Sequence, residues 1–300
     1  MRRHRPALAC LLLALLTTLP GAARAQLTLG FLARGHALIT EGLQDTANWL
    51  DRFFGDERVQ EQARSELRLG LTTSFLEGQG AQFGTRLRGR VNLPRITRRF
   101  QLLFEGEPDE DDPTGLQSGS GSSALRVLLR DTPARQLSFA VGFRGGLKDP
   151  HLFLRTRLTR LYQNGPWLHR LTPTVTWIAD DDWEAYLRHD LERTFPGRYF
   201  FRTTTKPKWA DKEDGFRLEQ NFTWVRRLSL LRYVAFDWLN EFYSERDEKL
   251  EVSHLRLRYR RAVWYDKLFL ELAPGVRFHA DDGFRPRLEG YVRLEVVFAP

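Results

Sequence analysis

The chain has 300 residues, 42% of them hydrophobic and 28% charged, with 46 lysines and arginines against 38 acidic residues and a formal net charge of +8. A single cysteine excludes a small disulfide-stapled domain. After the leader, no apolar run approaches the roughly 20 residues that a membrane helix requires.

The first predicted element is an export signal over residues 1–25. Arg2, Arg3 and Arg5 precede the apolar run ALACLLLALL, and LPGAARA follows with Ala23 and Ala25 placed for cleavage. Cys10 lies inside this leader, so the exported chain is expected to carry no disulfide, thiolate metal site or cysteine nucleophile. Removing Arg2, Arg3, Arg5 and Arg24 leaves 42 basic against 38 acidic residues. An exported chain with so small an excess is not expected to bind nucleic acid.

Residues 26–63 form a second unit. Ile39, Leu43, Ala47, Leu50 and Phe54 recur at three- and four-residue spacing, which predicts a short amphipathic helix near 38–54 that stops at Gly55-Asp56. Gly42 weakens it by about 1 kcal/mol relative to Ala. Three placements stay open: packed on the mouth of the domain that follows, inserted into it as a plug, or docked on a partner.

From residue 64 the dominant period is two. In FGTRLRGRV, Arg86, Arg88 and Arg90 share one face and Leu87 and Val91 the other; in PRLEGYVRLEVVF, Leu288, Val292, Leu294, Val296 and Phe298 oppose Arg287, Glu289, Arg293 and Glu295. Fourteen such runs are predicted, near 64–76, 80–93, 98–106, 123–131, 135–145, 151–162, 166–178, 182–192, 197–206, 214–226, 230–243, 249–263, 267–279 and 286–298. Dropping the two weakest, across 182–206, gives a twelve-strand alternative. Many runs reach the nine to eleven residues that a tilted membrane strand needs, about twice the soluble mode. Even-numbered connections such as PRIT, YQNGP and WYDK are short; odd ones such as EPDEDDPTGLQSGSGS and KPKWADKEDG are longer on average and polar, although EGQGAQ (77–82) is tight.

Long alternating strands with connections sorted by parity predict an all-β, antiparallel transmembrane β-barrel over 64–298. Apolar residues then face lipid, and their charged neighbours face the lumen. The inward basic set is Arg68, Arg86, Arg88, Arg90, Arg126, Arg155, Arg157, Arg217, Arg256, Arg258, Arg260, Arg277, Arg287 and Arg293; the inward acids include Glu105, Glu219, Asp237, Glu241, Glu271, Glu289 and Glu295. Aromatics near strand ends (Trp167, Trp177, Trp183, Tyr199, Phe200, Trp209, Trp224, Trp264 and Tyr265) are expected at the headgroup boundary.

This pattern resembles bacterial outer-membrane β-barrels of the porin-like superfamily. The ending GYVRLEVVF is similar to the aromatic-ended last strand by which such proteins engage the barrel-assembly machinery, although Ala299 and Pro300 follow Phe298. The resemblance implies residence in the outer membrane, with its lipid as solvent. Arginine-rich barrels of this kind resemble channels for acidic sugars, which implies small anionic solutes. Three functions stay open: an anion-favouring channel, a side-chain-filled structural or partner-binding barrel, and a barrel-embedded lipid or glycolipid hydrolase. The third is disfavoured, because Ser253 and His254 are consecutive in a strand and point apart, and because His279 stands beside Asp281 and Asp282 at a rim. No catalytic residue, metal site or cofactor is expected, since no Gly-rich phosphate loop, HExxH or calcium-loop spacing occurs.

Overall fold

A computed structural model describes residues 66–92, 100–106, 121–132, 134–145, 150–179, 182–245, 249–265 and 267–298. The helix expected at 38–54, the leader, and the acidic loop at 107–120 lie outside these residues. The described chain forms fourteen strands: β1 (Glu66–Leu76), β2 (Gln79–Asn92), β3 (Phe100–Gly106), β4 (Gly121–Thr132), β5 (Arg135–Arg144), β6 (His151–Asn164), β7 (Trp167–Ile178), β8 (Asp182–Phe195), β9 (Tyr199–Ala210), β10 (Arg217–Ser229), β11 (Arg232–Tyr243), β12 (Leu250–Trp264), β13 (Leu268–His279) and β14 (Arg287–Phe298). The twelve-strand alternative is overturned, because β8 and β9 pair in register with each other and with β7 and β10.

Each strand pairs antiparallel with the next, and β1 closes on β14 from Leu67↔Phe298 to Leu76↔Glu289. Closure leaves no edge strand. In hydrocarbon this is decisive, because a sheet satisfies every backbone N–H and C=O only when it has no free edge. The turns are built from the residues that tolerate them. Gly197 (φ 79°) and Arg198 (φ 66°), after Pro196, carry β8 into β9, and Gly165 (φ 57°) lies between β6 and β7. The tight connection expected at 77–82 is tighter still, since β2 already starts at Gln79.

Burial alternates along the strands as the sequence period requires. On β7, Arg170, Thr172, Thr174, Thr176 and Ile178 are buried, while the residues between them are half-buried. The concave side is fixed by Arg144 on β5, which reaches Glu184 on β8 at 3.2 Å across two intervening strands. Only side chains inside the curve can meet over that span. The exposed large apolar residues, such as Leu69, Leu87, Phe139, Leu257 and Leu294, therefore lie on the convex side.

Candidate functional site: the inner wall and the outward belt

The inner wall has two halves of different chemistry. On β11–β14 and β1 it is filled by ion pairs. Glu271 is 3% exposed and accepts from Tyr291 Oη (2.5 Å) and Tyr233 Oη (3.2 Å), with Arg260 at 3.4 Å and Arg293 at 3.8 Å. Arg260 also bonds Glu295, which Arg68 reaches at 3.4 Å. Arg258 forms a bidentate pair with Asp237, and Arg256 meets Glu289 at 2.7 Å, where His254 Nδ1 also lies at 3.0 Å. Bidentate and charge-assisted pairing of this kind offsets the desolvation of the ions. The pattern continues through Lys206–Glu219 (3.2 Å), Arg202–Glu192 (3.3 Å) and Arg188–Asp190 (3.0 Å).

The wall from β3 to β6 is different. Four of its inward residues on β4 and β5 are small: Ser122, Ala124, Ser138 and Ala140. Arg126, Arg155 and Arg157 flank this floor, and together with Leu103 and Phe153 they line a recess. Three guanidiniums are held in place there. Arg126 donates to Gln101 Oε1 (2.7 and 2.9 Å), Arg155 donates to Thr176 Oγ1 (3.3 Å), and Arg157 donates to Tyr186 Oη (3.2 Å). These three contacts, unlike the ion pairs of the first wall, are to neutral acceptors.

The register gives the places of the residues expected inside. Arg86 and Arg88 share the face of Arg68, and Arg90 stands opposite Glu66 in the ladder. Glu241 is paired beside Glu219, and Arg277 lies between His254 and Arg287. The last of these arginines sits at the rim, bonded to Asp282. Arg217 bridges to Glu213 at 3.1 Å. Ser253 and His254 point to opposite faces, and His279 Nδ1 accepts from the Asp281 backbone N–H (3.1 Å), capping a single 3₁₀ turn at Ala280–Asp282.

One expected interface aromatic is corrected. Phe200 is 4% exposed and lies inside, with the Arg202 guanidinium 5.5 Å from its ring. Its neighbours Tyr199 and Phe201 take the outward parity, so the residue between them turns in. The residues that sequence reasoning missed are the inward apolar and phenolic ones: Phe153, Ile178, Tyr233, Phe269 and Tyr291. Their parity with Arg155, Thr176, Asp237, Glu271 and Glu289 was the available signal.

The outward aromatics form two girdles. Trp177 pairs with Trp183 toward one end. Trp167, Trp224, Trp264 and Tyr265 lie toward the end that carries both barrel termini. Along β7, at roughly 3.3 Å per residue and a tilt of about 40°, Trp167 and Trp177 stand roughly 25 Å apart in depth, the height of a barrel's apolar band. Arg193 lies 5.2 Å from the Trp167 ring and 4.5 Å from Phe195, and Arg226 lies 5.4 Å from Tyr199. These outward arginines sit at the terminal-end girdle, where a long side chain reaches the headgroups.

The class defined by this geometry is the transmembrane β-barrel: a closed antiparallel sheet with an apolar belt, aromatic girdles and a charged interior. Proteins of this build belong to the bacterial outer membrane. No protein-family model and no curated protein sequence matches the chain. Among solved structures it is similar to OmpT, an outer-membrane protein of Vibrio cholerae, at 9% identity and a TM-score of 0.46, over 81% of this chain and 100% of that one. It is also similar to OccK3 of Pseudomonas aeruginosa (10% identity, TM-score 0.43, 83% and 99% covered). A third likeness is to the KdgM porin in complex with disordered oligogalacturonate (7% identity, TM-score 0.38, 77% and 99% covered).

Proposed function

We propose that the chain is a small outer-membrane channel whose arginine-rich inner wall favours anions. The observation that carries this reading is the floor of small residues at Ser122, Ala124, Ser138 and Ala140, flanked by Arg126, Arg155 and Arg157. Small side chains leave room, and fixed guanidiniums set the sign of the solute that enters. Arg86 and Arg88, half-buried on β2, extend the same wall. The chain performs no chemistry and needs no cofactor in this reading, and its neighbours are lipid and the machinery that folds it.

Planar-bilayer recording of the purified protein tests it. The expected result is stepwise conductance with a reversal potential that favours chloride over potassium in a salt gradient. Replacing Arg86, Arg88 and Arg157 together by Glu shifts that potential toward cations. The ion-paired interior of β11–β14 favours a second reading, a filled barrel without a pore; a folded, inserted protein that stays silent selects it.

A further inference from the structure

The convex face is apolar around β13, β14 and β1, where Leu270, Leu294 and Leu71 lie side by side in the ladder direction. Across β8–β12 it carries a polar row instead. His189 pairs in register with Thr205, Thr205 with Gln220, Gln220 with Asn240, and Asn240 with Ser253. These are five directly opposed residues on five neighbouring strands, all on the outward parity.

The row is hydrogen-bonded along its length. Thr205 Oγ1 donates to Gln220 Oε1 (2.7 Å), and Gln220 Nε2 donates to Thr203 Oγ1 (2.6 Å). Ser253 Oγ donates to Asn240 Oδ1 (2.9 Å) and accepts from Trp238 Nε1 (3.1 Å). His189 Nε2 lies 3.1 Å from His169 Nδ1, which extends the seam to β7. Capacity is left over. Gln220 Nε2 uses one of its two hydrogens here, and Asn240 is engaged through its carbonyl oxygen alone among the described residues.

Hydrocarbon offers such groups no partner, and side-chain hydrogen bonds across a membrane interface are a recognised source of association. The row also selects its occupant. It is uncharged, so it does not select a phosphate headgroup, and the outward arginines that would do so are at the girdle. Asn, Gln, Ser, Thr and neutral His each donate and accept, so a row of them complements itself. We propose that this seam is the contact through which a second copy of the chain docks, giving a two-fold dimer in the membrane. Both copies insert the same way, so the two-fold axis runs along the membrane normal. The row is perpendicular to strands that tilt, so it is itself oblique, and two such rows cross at their centre. The crossing falls at Thr205 and Gln220.

The test uses the full chain in native outer membranes, with cysteines introduced one at a time. Cys10 lies in the predicted leader, so an engineered thiol reports alone. Thr205→Cys and Gln220→Cys are expected to cross-link under mild oxidation to a species of twice the mass, at least tenfold more than Leu294→Cys on the apolar face of β14. Native mass spectrometry of the wild type in mild detergent is expected to give two chains. The double variant Gln220→Leu, Asn240→Leu, checked for a folded barrel by heat-modifiable migration, loses the dimer. A wild-type mass of one chain, of three, or of one chain with a different protein overturns the proposal. So does equal cross-linking at Leu294→Cys, or a leucine variant that is more heat-resistant and equally dimeric, since that face then meets lipid.

Discussion

Glu271 shows how a charge survives inside this barrel. Two phenols and two guanidiniums surround it, and it is almost wholly buried. Removing one partner of a buried set leaves the others uncompensated, which costs about 3–5 kcal/mol. Glu271→Ala is therefore expected to lower the unfolding free energy by that order, measured from the denaturant series at which the folded, fast-migrating band disappears. Glu271→Gln keeps an acceptor for Tyr233 and Tyr291 and is expected to lose less. Parity alone placed Glu271, Arg260 and Arg293 on one wall. It could not say that Arg260 on β12 reaches Glu295 on β14, because that contact depends on the curvature of the sheet. Tyr233 and Tyr291 share the inward parity, and both are buried and spend their hydroxyls on one carboxylate.

Strand β12 carries the alternation in its plainest form. Leu255 and Leu257 point out, while Arg256, Arg258 and Arg260 point in and meet Glu289, Asp237 and Glu295. Leu257 is 50% exposed on the convex face, so Leu257→Arg puts a guanidinium against lipid. The expected cost is about 2–4 kcal/mol if the site is near the midplane. It is measured by refolding into vesicles of phosphatidylcholine across a denaturant series. Arginine one residue away, at Arg256 or Arg258, causes no such penalty, and that contrast is what made most strands legible. The strands that read weakly, β8 and β9, are informative. Their outward faces carry His189, Thr203, Thr205 and Pro207, so the contrast between an oily and a polar face fades there. The period-two signal assumes that the outward face meets lipid. It fades where the outward faces of β8 and β9 carry polar residues, although both strands are paired on both sides. The helix expected at 38–54 rests on a local stripe alone; no pairing rule supports it, and it lies outside the described residues.

At the scale of the whole molecule, charge is distributed by position. Outward arginines Arg160, Arg193, Arg226 and Arg261 gather at the end bearing both barrel termini, and Asp211, Glu213, Asp214, Asp281 and Asp282 mark the other. Inside, among the described residues, Glu184, Asp190, Glu192, Glu219, Asp237, Glu271, Glu289 and Glu295 each meet a cation, while Arg126, Arg155 and Arg157 on the β4–β6 wall also meet the neutral acceptors Gln101, Thr176 and Tyr186. On the proposed channel reading the conducting path is off-axis: it follows the small residues of β4 and β5 and avoids the packed ion pairs of β11–β14. This gives a steric prediction independent of charge. Ser138→Phe with Ala140→Trp fills the recess from the inner face and leaves every arginine in place. Single-channel conductance is expected to fall several-fold with anion preference retained. The same enlargement at Ala235, on the packed wall of β11, does not narrow an off-axis path; it strains the neighbouring pairs and lowers the unfolding free energy by about 1–3 kcal/mol. Unchanged conductance in the Ser138→Phe, Ala140→Trp protein would place the path elsewhere in the lumen.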